Sequence, residues 1–358
     1  MGRGNTQTMN MRGGPKVTVL MSVYNGERYL NEAVDSILSQ TFTDFEFLII
    51  DDASTDRTPE ILRSYDDPRI RVVTNEENLG LTKSLNKGLA LAKGEYIARM
   101  DADDISLPER FEKQIKFLEN HPNVALVGTS CQVIDHQNKA LGYDFVQSDV
   151  LYEDLIKRNC IHHGSIIVRR SVMNEFSGYN ELFRKCQDYA LWLQMIKLYQ
   201  LKNIPEILYK LRSHSNSVSR IGNESIYYRI LAIRIAECSI SEELVEEISS
   251  SDISCLYKYL TESEWIQYCS FMASKYRSEG DFKRARQEYL KIFKLKPLDI
   301  LSLTNAFRMC LGSRVISVTS VLYSIPQHLQ YHLILSNPRY RQYWERLFRR
   351  NWKSFNRR

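Results

Sequence analysis

Apolar runs and segments of helical periodicity alternate along the first third of the chain. Four short runs rich in β-branched and apolar residues predict strands, and they lie at residues 17–21, 45–50, 70–74 and 96–100. The segments after them repeat apolar residues at helical spacing and predict helices at residues 27–40, 58–65, 81–92 and 108–119. Strands that alternate with helices in this way predict an α/β fold, in which helices cover both faces of a parallel sheet.

The pattern changes after about residue 220, where helical periods continue and strand patterns are no longer clear. The spacing within residues 265–297 is typical of one tetratricopeptide-type hairpin, although an ordinary helix pair joined by a Gly-Asp turn explains it equally well. A chain of 358 residues also exceeds what one compact core usually takes. We therefore expect four segments, which are a disordered start at residues 1–14, an α/β domain at 15–220, a helical domain at 221–337 and a basic tail at 338–358.

The basic residues of the chain are concentrated in that tail. Residues 339–358 contain eight lysines and arginines against one glutamate, whereas the whole chain has a formal net charge of +5. Trp344, Phe348 and Trp352 lie among the arginines at helical spacing, which predicts an amphipathic segment in peripheral contact with an anionic membrane surface. A terminal helix docked on its own domain is the alternative. Nucleic-acid binding would rest on charge alone, and we expect no nucleic-acid partner.

The seven cysteines are scattered, odd in number and without a Cys-x-x-Cys pair. This pattern argues against a structural zinc site and a disulfide framework, and it favours reduced thiols. The sequence contains no run of about 18 apolar residues, so we expect no membrane-spanning helix. We therefore expect a cytoplasmic protein, with the inner face of the cell membrane as the place where the tail would act.

Acidic side chains follow two of the predicted strands at the points where these strands end. Asp52 follows the second strand, and Asp101, Asp103 and Asp104 follow the fourth. Crowded carboxylates raise one another's pKa, and a divalent cation relieves that repulsion. Because Mg²⁺ is typically held by one or two carboxylates plus substrate phosphates, the pattern predicts a Mn²⁺ or Mg²⁺ site. Aspartates are also common in turns and helix caps, so Asp104 or Ser106 as a cap of the following helix is the alternative.

Four segments together carry a recognisable pattern, at residues 19–25, 50–56, 78–88 and 94–104. The order and spacing of these four segments resemble those of the family 2 glycosyltransferases, and the resemblance covers residues 17 to about 220. The resemblance implies the GT-A fold, which is Rossmann-like with a mostly parallel sheet. It also implies an inverting enzyme that transfers a sugar from a UDP-sugar donor to an acceptor hydroxyl. The acceptor would be a saccharide or a lipid-linked saccharide, in surface polysaccharide or glycoconjugate synthesis.

The resemblance implies a set of nucleotide-binding residues, which are Ser22, Val23, Tyr24, Asp52, Lys83, Arg99, Asp101 and Ala102. Within this set, Asp52 would accept the imide N–H of the uracil, and Asp101 would face the ribose or the metal. Many family members have proline where this chain has Ser22. Lys83 and Arg99 would be phosphate or base neighbours. Their alternatives are a solvated helix lysine and a structural arginine paired with an aspartate.

The resemblance also implies the metal ligands and the base. Asp103 would bind the metal, and His214, in a segment that resembles the family's closing Arg-x-His, would join it or touch the diphosphate. The alternative for His214 is an ordinary loop histidine. Where the family commonly has Glu-Asp, this chain has Gln187 and Asp188, so only Asp188 can act as the catalytic base. Its alternative is an N-cap of the helix that follows.

Two other residues and two other functions stay open at this point. One histidine of the pair His162 and His163 either reaches the acceptor pocket or has a structural role, and Trp192 either lines that pocket or packs the helix on the sheet. A nucleotidyltransferase that makes the donor is one rival function, although the Gly-rich phosphate loop of such enzymes is missing. A nucleotide-sugar-binding or scaffold protein without transfer activity is the other, because Gln187 departs from the family pattern.

Overall fold

A computed structural model describes residues 14–214, 224–237, 239–241, 244, 247–248, 253–278 and 280–295. The chain divides into two compact units, Met1–Cys255 and Leu256–Arg358. The start expected to be disordered, up to residue 13, and the basic tail lie outside the described residues. Among the described residues, no helix has the length and apolar character needed to cross a bilayer.

The first unit is built on one sheet of nine strands. The strands are β1 (Val17–Val23), β2 (Phe45–Asp51), β3 (Ile70–Thr74), β4 (Tyr96–Asp101), β5 (Ile105–Ser106), β6 (Val124–Ile134), β7 (Ala140–Asp144), β8 (Ile167–Arg169) and β9 (Gln200–Arg212). Their order is β3-β2-β1-β4-β8-β6-β9-β5, with β7 paired to β6. Strands β1 to β4 are mutually parallel where they pair, and β8 runs antiparallel to both neighbours. The predicted α/β fold is confirmed, and the predicted parallel pairing is present among β1 to β4.

Helices cover this sheet on both faces. They are α1 (Leu30–Leu38), α2 (Thr58–Arg63), α3 (Leu81–Leu91), α4 (Arg110–Asn120), α5 (Tyr152–Leu155), α6 (Arg170–Glu175), α7 (Gln187–Met195) and α8 (Glu224–Ala236). One face of β1, with Val19 and Met21, packs in a core with α1 and α4. Leu20, on the other face, is also fully buried. Because β1 is buried on both faces, its sequence is a continuous apolar run and not an alternation of apolar and polar residues.

The four helices predicted in the first third are present, and the largest change is at the start of α1. The helix was expected from residue 27 and begins at Leu30. The preceding residues form a turn instead, in which the N–H of Asn25 donates to Ser54 Oγ at 3.0 Å and the N–H of Gly26 donates to Thr58 Oγ1 at 2.8 Å. These bonds to the loop after β2 hold residues 25 and 26 outside the helix.

Helix α8 belongs to the first unit, which therefore extends past the boundary expected near residue 220. It packs beside α7, and the ring of its Tyr228 has a centroid 6.0 Å from that of Phe183, in the loop before α7. In the second unit, helices Glu262–Ser278 and Phe282–Leu295 form a hairpin whose turn contains Gly280 at a φ of 78°. Cys269, Ala273, Tyr289 and Ile292 form its buried core.

Candidate active site

The carboxyl ends of three neighbouring strands bring most of the expected nucleotide-binding residues to one edge of the sheet. Ser22 of β1 is in register with Asp101 of β4, and Val23 is in register with Asp51 of β2. The N–H of Asp52 donates to the carbonyl oxygen of Val23 at 2.8 Å. This edge is where open α/β sheets bind ligands.

The turn after β1 is fixed in place by the loop after β2. Asn25 adopts a left-handed conformation with a φ of 52°, and its Oδ1 accepts from the N–H of Thr55 at 2.8 Å. Asparagine tolerates this conformation better than most residues because its short amide can bond locally. The turn presents Tyr24 with half of its surface exposed, at 50%. An exposed aromatic ring on a rigid turn is suited to stacking on a nucleobase.

Asp52 is almost completely buried, and its carboxylate is engaged by the chain itself. Oδ1 accepts from Asn75 Nδ2 at 2.7 Å and from the N–H of Leu79 at 2.8 Å, and Oδ2 accepts from the N–H of Gly80 at 2.9 Å. Asp52 therefore anchors the loop that leads into α3. An ionised carboxylate has about four lone-pair sites, and these contacts use three of them. One site is left for the N–H of a uracil, so that role stays a prediction.

The two basic residues expected near the nucleotide occupy different environments. Lys83 is exposed in the first turn of α3. Arg99 is fully buried in β4, and its Nη2 lies 2.6 Å from Oδ1 of Asp101. The geometry of Arg99 matches the alternative of a structural arginine paired with an aspartate. Any influence of Arg99 on a nucleotide would pass through Asp101.

The three carboxylates of the acidic loop are crowded. Burial raises the pKa of Asp101, the Arg99 guanidinium opposes that rise, and the charge of Asp103 adds to it. Burial raises the pKa of Asp104 well above its usual range, and the charges of Asp103 and Asp101 raise it further. A Cβ added at Gly164 would lie 2.6 Å from Oδ2 of Asp101, so only a residue without a side chain fits beside this carboxylate.

Neither Asp104 nor Ser106 caps the helix that follows, so that alternative is wrong. The N-cap position of α4 is Glu109, without a side-chain hydrogen bond. Oδ1 of Asp104 instead accepts from the N–H of Arg212 at 2.7 Å, which ties the acidic loop to the end of β9. The Arg212 side chain reinforces this link, because its Nε donates to the carbonyl oxygen of Asp103 at 2.6 Å.

Asp103 and His214 are brought together from positions 111 apart in the chain. His214 Nε2 lies 2.8 Å from Oδ2 of Asp103, and its ring centroid lies 5.3 Å from that of Tyr29. Asp103 is half-buried, so the pair borders solvent. The structure thus places the two expected metal ligands next to each other.

These residues fit a hard divalent cation that takes its remaining ligands from outside the protein. A carboxylate oxygen and an imidazole nitrogen 2.8 Å apart can contact the same ion. Oδ2 of Asp104 is buried and has no hydrogen-bond partner among the described residues. Within the described part of the chain, no group of three or more His, Cys, Asp and Glu side chains is arranged to hold a metal. A site with few protein ligands suits an ion bound together with a diphosphate.

Asp188 lies in the first turn of α7. Its Oδ2 accepts from Asn159 Nδ2 at 2.9 Å. Burial raises the pKa of Asp188, and the charge of Asp101 contributes to that rise. The helix begins at Gln187 after Cys186, which has a φ of 58° at the N-cap position, so the N-cap alternative for Asp188 is wrong.

A buried polar network lies between Asp188 and Arg99. His163 Nε2 is 2.8 Å from the hydroxyl of Tyr179, and the pKa of this tyrosine is raised by burial and, among other charges, by that of Asp188. Burial lowers the pKa of His163 well below its usual range, and the charge of Arg99 lowers it further, so this histidine is neutral. Trp192 is completely buried and packs edge-on to His163, as its packing alternative predicts.

The family of the chain is shown by its similarity to known proteins. The family model for glycosyl transferase family 2 matches residues 18–185. The chain is 39% identical over 216 residues to the Bacillus subtilis protein EpsE. The aligned residues cover 59% of this chain and 77% of EpsE. The chain belongs to the family 2 glycosyltransferases.

Two further relatives and one solved structure extend this comparison. The amylovoran biosynthesis glycosyltransferase AmsE of Erwinia amylovora is 32% identical over 57% of this chain and 78% of its own. The O-antigen biosynthesis glycosyltransferase WbnJ of Escherichia coli is 29% identical over 70% of this chain and 98% of its own. The crystal structure of S. aureus TarS 1-349 in complex with UDP-GlcNAc has a TM-score of 0.52 at 18% identity, over 82% of this chain and 89% of that one. The GT-A fold expected for a family 2 glycosyltransferase is confirmed.

Three residues of this family 2 glycosyltransferase site were not singled out from the sequence. Arg212 stood in the Arg-x-His segment, and its spacing to His214 was the available signal. Asn159 and Tyr179 had no sequence signal, because their partners Asp188 and His163 lie 29 and 16 residues away in the chain. Such contacts become visible only when the sheet and helices are assembled.

Proposed function

We propose that this family 2 glycosyltransferase transfers a sugar from a UDP-sugar to a hydroxyl of a saccharide acceptor, with inversion at the anomeric carbon. The observation that carries the proposal is that the segment before β8 touches both groups: a Cβ added at Gly164 would lie 2.6 Å from Oδ2 of Asp101, and His163 packs against Trp192, one helical turn after Asp188. The charge of Asp101 also contributes to the raised pKa of Asp188. A base on one side and a diphosphate site on the other is the arrangement that a direct displacement needs.

In this proposal Asp188 accepts the proton of the acceptor hydroxyl while the hydroxyl oxygen bonds to the anomeric carbon. The bond from that carbon to the diphosphate oxygen breaks, and UDP leaves with the bonding electrons on the opposite face. Asn159 holds the carboxylate of Asp188 in position through its hydrogen bond at 2.9 Å. Asp103 and His214 would hold a Mn²⁺ or Mg²⁺ ion, which supplies positive charge to the leaving diphosphate when it is bound.

The choice of a UDP-sugar is supported by the turn at Tyr24, by the expected role of Asp52 and by the fold shared with TarS, which was solved with UDP-GlcNAc. The choice of a saccharide acceptor is supported by AmsE and WbnJ, whose names refer to amylovoran and O-antigen biosynthesis. A lipid-linked acceptor would match the basic tail at residues 338–358, which the sequence predicts to contact membranes. Liposome co-sedimentation of the full chain and of a chain ending at residue 337 tests that contact, and equal binding would contradict it.

UDP release from a panel of UDP-sugars, measured with and without Mn²⁺, tests the transferase proposal directly. We expect slow, Mn²⁺-dependent release from at least one UDP-sugar, with water as the acceptor. We also expect Asp188→Asn to depress this release while the UDP-sugar still binds. Binding without release in the wild type would favour a non-catalytic protein. Pyrophosphate formation from UTP and a sugar 1-phosphate would favour a nucleotidyltransferase.

A further inference from the structure

An exposed pair of aromatic side chains stands on the hairpin formed by β6 and β7. The rings of Tyr143 and Phe145 are stacked, with centroids 6.0 Å apart and planes inclined by 27°. Tyr143 is 58% exposed, and Phe145 is 62% exposed. Leu141, two residues before Tyr143 on the same strand, is equally exposed. Exposed apolar side chains that cluster in this way are typical of binding surfaces, whereas single exposed apolar residues are common everywhere.

The strand register places polar groups beside this pair. Tyr143 of β7 is in register with Gln132 of β6. Gln132 is in turn in register with Lys210 of β9, and Lys210 is in register with Ile105 of β5. Side chains at registered positions lie on the same face of a sheet. The Gln132 amide also donates to the Tyr143 hydroxyl at 3.4 Å. The row therefore runs across four strands and ends at Ile105, next to Asp104 of the acidic loop.

The same face of the sheet carries Asp188. Val127 and Cys131 of β6 both pack in the core with α1 and α4, so Gly128 and Gln132, each one residue later, lie together on the opposite face. A Cβ added at Gly128 would lie 3.4 Å from the Ile161 side chain. The N–H of Ile161 donates to Asn159 Oδ1 at 3.3 Å, and Asn159 Nδ2 donates to Asp188 at 2.9 Å. The aromatic pair, the polar row and the base candidate thus share one side of the sheet.

We infer that Tyr143 and Phe145 form a platform for a sugar ring of the acceptor, with Gln132 and Lys210 bonding its hydroxyls. A pyranose combines a flat C–H face, which packs on an aromatic ring, with hydroxyls at its edge, which need donors and acceptors. The row offers both kinds of group next to each other. This inference rests on the proposed function, because continuity with the cleft at Asp188 identifies the occupant as the acceptor.

Other occupants match the row less well. The acyl region of a lipid surface would cover the aromatic rings and Leu141, but it would leave the Gln132 amide and the Lys210 ammonium without hydrogen-bond partners. Covering such groups without new hydrogen bonds costs free energy. A saccharide satisfies them while it covers the rings.

Saturation-transfer NMR without any donor tests the platform, with methyl glycosides of glucose, galactose and N-acetylglucosamine and with cellotetraose as probes. We expect at least one probe to bind the wild type, and Tyr143→Ala and Phe145→Ala each to weaken that binding by ~10-fold. Tyr143→Phe keeps the ring and should retain most of the affinity. Leu198→Ala is the matched control, because Leu198 is 68% exposed and lies outside this row.

Failure of the platform and failure of the proposed function give different results. Absence of binding by every probe, or equal binding by the wild type and both alanine variants, would overturn the platform whatever the UDP release shows. The platform is also overturned if the two alanine variants lose self-association in sedimentation velocity, or lose liposome binding, while their saccharide binding is unchanged. The patch would then be assigned to a second copy or to a membrane. Saccharide binding that depends on both rings, in a wild type that releases no UDP from any UDP-sugar, would support the platform and reject the transferase.

Discussion

The Nε of Arg212 donates to the main-chain carbonyl oxygen of Asp103 at 2.6 Å, although 109 residues separate the two in the chain. The same guanidinium pairs with Glu32 of α1 at 2.7 Å and donates to Asn138 in the β6–β7 turn at 2.6 Å. It also lies over the ring of Tyr29, with 4.4 Å to the centroid. One buried side chain therefore fixes the acidic loop against two separate elements, α1 and the β6–β7 turn, and its role is to position Asp103.

Arg212→Lys should loosen the acidic loop. Lysine carries its donors on a single atom and cannot reach Glu32, Asn138 and the carbonyl of Asp103 together. We expect a loss of about 2 kcal/mol or more in the free energy of unfolding, measured by urea denaturation, and ~10-fold weaker UDP binding in the presence of Mn²⁺. Arg63→Lys is the control, because that arginine has a side chain 70% exposed. Equal behaviour of the two variants would contradict the positioning role.

The sequence was most informative about the first half of the sheet, where the signals are local. Strands β1, β2 and β4 are short and buried on both faces, β3 is a short apolar edge strand, and amphipathic helices separate them, so the sequence pattern alone locates all four. Strand β9 was missed because it contains Pro205 and pairs with β6 through register shifts around Ser130. Those irregularities remove the alternation that a strand prediction needs.

The residues of the candidate site likewise differ in whether local sequence features could place them. Asp101 and Asp103 could be placed from the sequence because the end of a strand is a local feature. The burial of Arg99 and the three hydrogen bonds to Asp52 could not, since they depend on how separate loops meet. The contact between Asp103 and His214 followed only from the family resemblance, because 111 residues lie between them.

Asp188→Asn should depress turnover by ~10²-fold or more and leave UDP binding nearly unchanged, because the amide keeps the shape of the carboxylate but cannot accept the proton. Asp149→Asn is the control, with a side chain 67% exposed. Steady-state kinetics and calorimetry separate the two effects. Near-normal turnover of Asp188→Asn would remove this residue from the base role.

The pH dependence of turnover should report the environment of Asp188. A base acts in its ionised form, and burial raises the pKa of this carboxyl, so turnover should fall as the pH drops through a value above the ordinary ~4. The hydrogen bond from Asn159 lowers the pKa, so Asn159→Ala should move the acid limb to higher pH. A pH–rate profile measures this limb. An unchanged limb in Asn159→Ala would contradict the assignment.

Asp103→Ala and His214→Ala should each remove the Mn²⁺ dependence of UDP binding. In the wild type the ion would link the protein to the diphosphate, so losing one of two protein ligands should weaken binding by ~10-fold or more with Mn²⁺ present. Without Mn²⁺ the affinities should match the wild type. Titration calorimetry measures both, with Asp66→Ala, at an exposed position, as the control. The same Mn²⁺ enhancement in all four proteins would reject the metal site.

Asp52→Asn separates a base-reading role from a purely structural one. An asparagine offers one acceptor oxygen to the three N–H groups that now bond the carboxylate, so stability should fall by about 1–3 kcal/mol. If Asp52 also accepts the imide N–H of uracil, UDP binding should weaken by ~10-fold while CDP binding weakens less, because cytosine presents an acceptor at that ring position. Calorimetry with both nucleotides measures the ratio. An equal loss for UDP and CDP would make Asp52 an anchor of the loop before α3 and leave uracil recognition to other residues.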